Sequence, residues 1–174
     1  MQSTLVMTVI GPDRPGLVES IARLVTSHGG NWLESRMARL GGQFAGILRV
    51  DVPADKAAEL ARALQALAGK GVNVVIHPDR AASTSPDAEL RLIELIGQDR
   101  PGIVQQITHA LASHGVNVEE LETECVLAAM SGETLFKAKA KVMVPTGCDL
   151  GALKLDLERI AADLIVEITF QKVG

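Results

Sequence analysis

The feature that most constrains this chain is an internal repeat. Residues 10–31 read IGPDRPGLVESIARLVTSHGGN and residues 96–117 read IGQDRPGIVQQITHALASHGVN, so 12 of 22 positions are identical at an offset of 86 residues. A repeat of this length indicates that the 174-residue chain contains two copies of one folding unit. Between the copies, the segment PDRAASTSPD has the composition of a linker. We predict a first domain over residues 1–79, a linker over 80–87 and a second domain over 88–174.

Each copy opens with the pattern of a strand followed by a helix. Residues 5–10 and 90–96 are short aliphatic runs that stop before a glycine, which is typical of strands that end at a turn. Pro15 and Pro101 follow these strands. Proline is favoured at the first position of a helix, because the amide that it lacks has no partner there. We therefore predict that each helix begins at its proline and buries one apolar stripe.

Both helices are predicted to end at a Ser-His-Gly sequence, residues 27–29 and 113–115. Glycine at this place adopts the left-handed conformation, and histidine lies close to the last carbonyl groups of the helix. We interpret His28 and His114 as helix-end residues, because the spacing offers neither one a metal co-ligand or an acid/base partner.

The remainder of each copy predicts a hairpin, a second helix and a closing strand. The predicted features are hairpin strands at 31–40 and 43–52 around Gly41-Gly42, hairpin strands at 116–128 and 134–144 around a turn at 130–133, closing strands at 72–76 and 164–170, and a helix cap at Asp149. The order of elements is βαββαβ, twice. It indicates the α+β class, with two tandem ferredoxin-like domains, each a four-stranded antiparallel sheet with two helices on one face.

Helices cover only one face of such a sheet. Residues 5–10 are apolar on both sides of the strand, so we expect the opposite face to present an apolar patch that a sister domain, a second chain or a protein partner covers. Lys137, Lys139 and Lys141 alternate along another strand. We interpret them as a solvated face that keeps the strand from pairing with other chains.

Charge and composition argue against a nucleic-acid-binding protein. The net charge is −4, the pI is near 5.6 and the 17 basic residues are scattered, so the field of the protein repels a phosphate backbone. Aromatic residues make up 2% of the chain, too few for a stacking platform. We expect no direct contact with nucleic acid.

Membrane, disulfide and metal sites are not indicated either. No apolar run approaches the ~20 residues of a membrane-spanning helix, and residues 1–4 do not begin a signal peptide. Cys125 and Cys148 are too few and too isolated for a disulfide scaffold or a zinc site. We expect a cytoplasmic protein that binds no membrane, no metal and no cofactor.

The repeated loop Gly-x-Asp-Arg-Pro-Gly carries the chemistry. A helix opening offers free backbone N–H groups and a partial positive charge, which favour a carboxylate. Asp13 and Asp99 can accept from an ammonium group, and Asn31 and Asn117 can both donate and accept. An α-amino acid has the matching pair of charges. The alternative is structural: Asp13 satisfies backbone donors just outside the helix, Arg14 is a surface cation and Asn31 caps the turn after Gly29-Gly30.

The Asp-Arg-Pro-Gly-(Leu/Ile)-Val start, the Ser-His-Gly-x-Asn helix exit and the order of elements resemble the ACT domain over nearly all of both halves. This resemblance implies a non-catalytic regulatory module that binds a small ligand, usually an amino acid, at the loop between the first strand and the first helix. It also implies that a neighbouring ACT domain often completes the site. The matching ligand-binding positions are Asp13, Arg14, Gly16, Asn31, Asp99, Arg100, Gly102 and Asn117.

Two ACT domains with no catalytic or DNA-binding domain attached are similar to the group of glycine cleavage system transcriptional repressors. That similarity implies glycine as the signal and a DNA-binding transcription regulator as the protein partner. A homo-oligomer is also compatible with the sequence. Because Pro12 is replaced by Gln98 and Gly30 by Val116 in the second copy, the two sites need not be equivalent.

Two other functions remain open. Acylphosphatase-like hydrolases share this fold and hold phosphate and water with a first-loop arginine and a second-strand asparagine, as Arg14 and Asn31 would. However, Pro12 and Pro15 each remove an amide that a phosphate cradle needs, and no other catalytic constellation is indicated, so we expect no enzyme. The second alternative is an interaction-only dimerisation module with degenerate ligand sites.

Overall fold

Alternating apolar residues form four strands in each half of the chain, and two amphipathic helices complete each half. The computed structural model divides the chain into two compact units, Met1–Ala82 and Ser83–Gly174. The structure describes residues 1–79, 88–128 and 132–173. The predicted linker at 80–87 and two residues of the predicted turn, 130 and 131, therefore lie outside the described residues.

The two units repeat one order of elements. The first contains β1 (Gln2–Pro12), α1 (Leu17–Ser27), β2 (Asn31–Leu40), β3 (Gln43–Pro53), α2 (Ala57–Gln65), a 3-10 helix (Ala66–Lys70) and β4 (Asn73–Pro78). The second contains β5 (Glu89–Gln98), α3 (Ile103–Ser113), β6 (Asn117–Leu127), β7 (Thr134–Val144), α4 (Leu150–Leu164) and β8 (Val166–Lys172).

Each unit holds one antiparallel sheet whose two outer strands are not neighbours in sequence. The strand orders are β2-β3-β1-β4 and β6-β7-β5-β8. A bulge interrupts the pairing of β2 with β3 and, at the matching place, of β6 with β7. This arrangement confirms the predicted α+β class and the tandem ferredoxin-like plan.

The cores lie between the sheets and their helices. In β3, Leu48, Val50 and Val52 are at most 1% exposed, and they belong to one cluster with Ile21 of α1 and Leu60 of α2. Alternation along a strand directs every second side chain to the same face, so these three residues of β3 face the helices together. Truncation of a fully buried leucine or isoleucine of this kind costs about 2–5 kcal/mol.

The predicted helix starts at Pro15 and Pro101 are wrong. Gly16 and Gly102 precede the first helical residues and have φ angles of 84° and 95°, in the left-handed region that favours glycine. A helix cannot continue through such a residue, so the prolines belong to the preceding turn. The helices begin two residues later than the preference of proline indicates.

The outer sheet face of the second unit is also not the apolar patch that was expected. Lys137, Lys139 and Lys141 lie there in register with glutamates of the neighbouring strands. The ion pairs are Lys141–Glu120 at 2.7 Å, Lys139–Glu94 at 3.8 Å and Lys137–Glu124 at 3.9 Å. The lysines are 42–55% exposed, so they form a solvated face as predicted, but within a charged ladder.

Candidate functional site

The opening of α1 has no side-chain cap. Gly16 occupies the N-cap position, and no side chain accepts a hydrogen bond from the first amides of the helix among the residues that the structure describes. At α4, by contrast, Asp149 Oδ1 accepts from the amides of Gly151 and Ala152 at 2.9 and 3.0 Å, which confirms the predicted cap. Leu17 N–H donates to the carbonyl of Arg14 at 3.4 Å. The amides of the next two residues of α1 are not engaged by a side-chain cap and are available to an external acceptor such as a carboxylate.

Asp13 lies beside this opening but does not cap it. Its backbone N–H donates to the carbonyl of Gly42 at 2.9 Å, which ties the loop to the turn between β2 and β3. Its Oδ2 lies 3.7 Å from Arg39 Nε, and the two side chains are 38% and 72% exposed. The structural alternative, in which Asp13 satisfies helix amides, is not what the geometry shows.

Arg14 connects the same loop to the 3-10 helix by a hydrogen bond. Its Nη2 donates to the carbonyl of Lys70 at 3.0 Å, at the end of the 3-10 helix. The side chain is exposed. The loop before Gly16 is thus held between a hairpin turn and a 3-10 helix, and its polar groups face solvent.

The second helix opening repeats this design with different partners. Gly102 is the uncapped N-cap of α3, and the backbone N–H of Asp99 donates to the carbonyl of Thr134 at 3.0 Å. Reduced hydration, together with the carboxylate of Asp99, raises the pKa of the Cys125 thiol. Asp99 therefore lies against a neutral thiol, and within residues 88–128 and 132–173 no ion pair of Asp99 is found.

Arg100 also has a different partner from Arg14. Its Nη2 donates to Gln98 Oε1 at 3.0 Å, within its own loop. Because Gln98 stands where the first copy has Pro12, this contact has no counterpart in the first unit. The sequence difference noted between the loops thus changes how each arginine is held.

Arg39 and Cys125 were not identified from the sequence as partners of the two aspartates. They lie 86 residues apart, as Asp13 and Asp99 do, and both pair in register with a phenylalanine of the next strand. Extending the repeat beyond the helix exit into the second strand would have matched them. The signal was weak, because the hairpins have little sequence in common.

The structure does not bring the asparagines to the helix openings. Asn31 pairs with Asp51 of β3, whereas Asp13 contacts Gly42 at the opposite end of that strand. Eight strand residues separate these levels, which is about 26 Å at about 3.3 Å per residue. Helix α1, whose 11 residues span about 16 Å, carries the chain over much of this distance.

This separation also bears on the hydrolase alternative. Arg14 lies in the loop at one end of the first unit and Asn31 at the other, so they cannot hold one phosphate within that unit. In the second unit, Asn117 Nδ2 donates to Glu119 Oε1 at 2.7 Å, a local contact in β6. The acylphosphatase-like pair is not assembled.

Both helix-end histidines lie next to a carboxylate of the second helix in their unit, at different distances. His28 Nδ1 lies 2.8 Å from the carbonyl of Leu24, as expected for a residue at the end of a helix, and its Nε2 lies 3.9 Å from Glu59 Oε1 of α2. His114 Nε2 lies 2.8 Å from Asp156 Oδ2 of α4, and the hydrogen bond from His114 lowers the pKa of that carboxyl. His114 therefore does have a carboxylate partner, which ties α3 to α4.

Metal ligation and membrane spanning find no support in the described part of the chain. Among residues 1–79, 88–128 and 132–173, no three or more His, Cys, Asp or Glu side chains are grouped to hold a metal ion. Within those ranges no helix combines the length and the apolar character needed to cross a membrane.

Comparisons of the sequence and of the structure with known proteins find similarities that extend over both units. The sequence pattern of the ACT domain matches residues 3–75 and 89–171. The chain is 31% identical over 172 residues to the glycine cleavage system transcriptional repressor of Escherichia coli (strain K12), covering 98% of this chain and 88% of that protein. A structure of an unknown protein from Galdieria sulphuraria matches with a TM-score of 0.89 and 32% identity over 100% of both chains. Phosphoserine phosphatase SerB2 of Mycobacterium tuberculosis is 23% identical over 98% of this chain but only 41% of that enzyme.

Proposed function

The chain belongs to the ACT-domain family through both of its halves, and from this membership we propose that it is a non-catalytic regulator that senses a small amino acid, glycine first among them, and acts on a protein partner. The name of the Escherichia coli relative suggests the process, transcriptional control of glycine cleavage. The net charge of −4 suggests control through a DNA-binding transcription regulator rather than through DNA itself. Cys125 and Cys148 are free thiols, which supports a reducing compartment such as the cytoplasm.

One observation carries the sensing proposal: an uncapped helix opening lies next to a solvent-exposed aspartate in both units. At Gly16 and Gly102 no described side chain occupies the first amides, while Asp13 and Asp99 stay beside the opening without filling it. The opening of α2 also has no side-chain cap, but its N-cap residue is Lys56. The carboxylate nearest to this opening, that of Glu59, already forms an ion pair with Lys56. A helix opening beside an available carboxylate matches both charges of an amino acid.

We propose that the second unit holds the tighter site. The carboxylate of Asp13 already has Arg39 Nε at 3.7 Å, so a ligand ammonium group must compete with an internal cation there. Asp99 has the thiol of Cys125 in the matching place, and a neutral thiol does not offset its charge. The sequences of the two loops alone left this choice open.

The proposal assigns Asn31 and Asn117 a different role from that of the aspartates. Because each lies at the opposite end of its unit from the helix opening, it contacts a ligand bound there only if it belongs to another ACT domain. The residues proposed to bind within one unit are therefore Asp99, Arg100 and Gly102, with the equivalent set in the first unit.

The match to SerB2 does not favour an enzyme, because the match spans less than half of that protein. The proposal that this chain is not an enzyme rests on the separation of Arg14 from Asn31. If acyl phosphate were hydrolysed, and hydrolysis were lost in Arg14→Ala, the hydrolase alternative would replace the regulator.

Thermal unfolding with and without glycine tests the sensing proposal. Glycine at a hundredfold excess over its Kd adds about 2.7 kcal/mol, a rise in Tm on the order of 10 °C for a domain of this size. Asp99→Ala should remove most of this rise and Asp13→Ala the remainder, whereas Asp163→Ala, an exposed control on α4, should keep it. No shift with any amino acid of a full panel would leave the interaction-only module as the function.

A pull-down from native cell extract tests the partner. We expect a DNA-binding transcription regulator to be captured in an amount that changes when glycine is added. If glycine raises the Tm but the amount of captured regulator is the same with and without glycine, ligand binding does not control the partner. That result would contradict this part of the proposal.

A further inference from the structure

An apolar crevice lies between α3 and the sheet of the second unit. Its volume is about 30 Å³. Val104 and Leu121 line it and are still 41% and 46% exposed, so the crevice is open to solvent on that side. Its walls include Ile103, Val104 and Thr108 of α3, Leu121 of β6, and Phe136 and Ala140 of β7. A small molecule at the surface can therefore extend a group into it.

The crevice adjoins both charged parts of the proposed ligand site. Ile103 and Val104 line the crevice and, as the first two residues of α3, also carry first-turn amides of that helix. Phe136 lines the crevice as well and pairs in register with Cys125, whose thiol lies against Asp99. An amino acid with its carboxylate at the amides and its ammonium group at Asp99 thus has its side chain next to the crevice.

The chemistry of the crevice selects an apolar occupant. Thr108 has the one polar side chain among the described residues that line it, and its hydroxyl donates to the carbonyl of Val104 at 2.8 Å. Burial of a second hydroxyl there costs free energy, whereas burial of a methyl or methylene group is favourable. A group the size of a water molecule needs about 10–15 Å³, so the crevice accepts about two or three such groups.

Larger side chains occupy the matching place in the first unit. Trp32 stands where the second unit has Val118, and Leu48 stands where it has Ala140. Leu48 is 1% exposed, and Trp32 packs against the core of its unit. The fold itself therefore does not require the crevice, which results from the smaller residues of β6 and β7.

We propose that the crevice receives the side chain of the bound amino acid, so that the second unit prefers an apolar side chain of two or three carbons, as in 2-aminobutyrate or valine, over glycine. This inference rests on the proposed amino-acid site and adds the class of side chain that the site selects. Glycine still binds, because it makes both charged contacts. Each methylene group that is buried strengthens binding about fourfold, so Kd should fall about fourfold from glycine to alanine and about fourfold again to 2-aminobutyrate.

Isothermal titration calorimetry on the Asp13→Ala chain, which keeps the second site alone, tests this order of affinities. Serine has a hydroxyl in place of the terminal methyl group of 2-aminobutyrate and should bind at least about fourfold more weakly than it. Phenylalanine, with seven side-chain carbons, exceeds the space and should also bind more weakly. The Asp99→Ala chain, which keeps the first site alone, should show no gain from glycine to 2-aminobutyrate.

Two variants test whether the crevice causes the preference. In the Asp13→Ala chain, the ratio of the Kd for glycine to the Kd for 2-aminobutyrate should be about 16. Leu121→Ser copies Ser35 of the first unit and removes one wall, and Ala140→Leu copies Leu48 and fills the space, so each should bring this ratio towards 1. Leu155→Ser, the same change at a 68% exposed leucine of α4, is the matched control and should keep the ratio.

Circular dichroism shows whether each variant keeps its fold, and the exposed position of Leu121 makes Leu121→Ser the deciding variant if Ala140→Leu unfolds. Equal affinities of the Asp13→Ala chain for glycine and 2-aminobutyrate would overturn this inference and leave amino-acid sensing in place. A preference that persists in folded Leu121→Ser would also overturn it, because the side chain would then lie elsewhere. If neither chain bound any amino acid, the proposed function would fail, and this inference would fail with it.

Discussion

The two helix openings differ at one matched position, and exchanging its residues should exchange their affinities for glycine. In the first unit Arg39 lies against Asp13, and in the second unit Cys125 lies against Asp99. Arg39→Cys should strengthen ligand binding in the first unit, and Cys125→Arg should weaken it in the second. Both changes act on the partner of the aspartate and leave the aspartate in place.

The expected magnitude follows from the distance and the exposure of the first pair. Two unit charges 3.7 Å apart attract each other by about 1 kcal/mol at the dielectric constant of water. That dielectric constant is appropriate because Arg39 is 72% exposed and Asp13 38% exposed, and exposed pairs of this kind are worth about 0–1 kcal/mol. A ligand ammonium group that displaces Arg39 thus loses up to about 1 kcal/mol, which corresponds to about a fivefold weaker affinity.

Isothermal titration calorimetry with glycine can measure each site separately. Asp99→Ala leaves only the first site, and adding Arg39→Cys to it should lower Kd by up to about fivefold. Asp13→Ala leaves only the second site, and adding Cys125→Arg should raise Kd by a similar factor. Cys125→Ser, which introduces no charge, is the matched control and should leave Kd unchanged.

The result that refutes this reasoning is specific. If Arg39→Cys left Kd unchanged or raised it, Arg39 would not compete with the ligand, and Asp13 would not be the ammonium acceptor. If glycine bound to neither single-site chain while the wild type bound it, the two sites would not be separable.

Two further predictions concern stability. Leu153→Ala should lower the free energy of unfolding by about 2–5 kcal/mol, because Leu153 is fully buried, whereas Leu155→Ala, at a 68% exposed side chain, should change it by less than about 0.5 kcal/mol in urea titrations. The hydrogen bond from His114 lowers the pKa of Asp156, so the folded chain binds that proton more weakly than the unfolded chain does. Its stabilising effect is therefore present above the unfolded pKa of about 4 and is lost as pH falls through the lowered value. The stability difference between the wild type and Asp156→Asn should shrink in urea titrations as pH drops towards about 3, and a difference that is the same at all pH values would contradict the assignment.

Strand positions were the most predictable part of the fold. The alternation of Leu48, Val50 and Val52 with polar or exposed neighbours is enough to specify which face of β3 is buried. The turn at Gly41-Gly42 was equally clear, because both residues have positive φ angles, 57° and 76°, as a two-residue hairpin turn requires. Local sequence is sufficient where one short segment determines the conformation.

Helix starts and site contacts were less predictable, for a physical reason in each case. At Pro15 the preference of proline for a first helical position competed with the left-handed conformation of Gly16, and the glycine determines where α1 begins. The contact of Asp13 with Arg39 joins a loop to a different strand, and such a contact depends on the register of β2. Register is a tertiary property that spacing along the chain does not contain.

The position of Asn31 shows where a motif misleads. Its place two residues after Gly29 made it part of one polar set with Asp13, yet an 11-residue helix separates them and moves the chain to the other end of the sheet. Helix length was available from the sequence, so this separation could have been derived. A repeated motif indicates which residues share a role, but only the path of the chain between them indicates whether they share a site.

Duplication explains how the two units can differ while the fold stays the same. The first unit combines an ion-paired aspartate at its helix opening with an outer sheet face that exposes Ile10, Ile47 and Val75, and the second combines an aspartate beside a neutral thiol with a ladder of lysines and glutamates. Both differences lie on surface positions, where substitutions change the free energy of unfolding by only about 0.5 kcal/mol. The surfaces of the two units could therefore diverge while their buried cores were kept. On our proposal the second unit binds the ligand more tightly than the first. This division predicts that Ile47→Lys, on the outer sheet face of the first unit, leaves the glycine Kd of the second site unchanged, and calorimetry on that variant would show it.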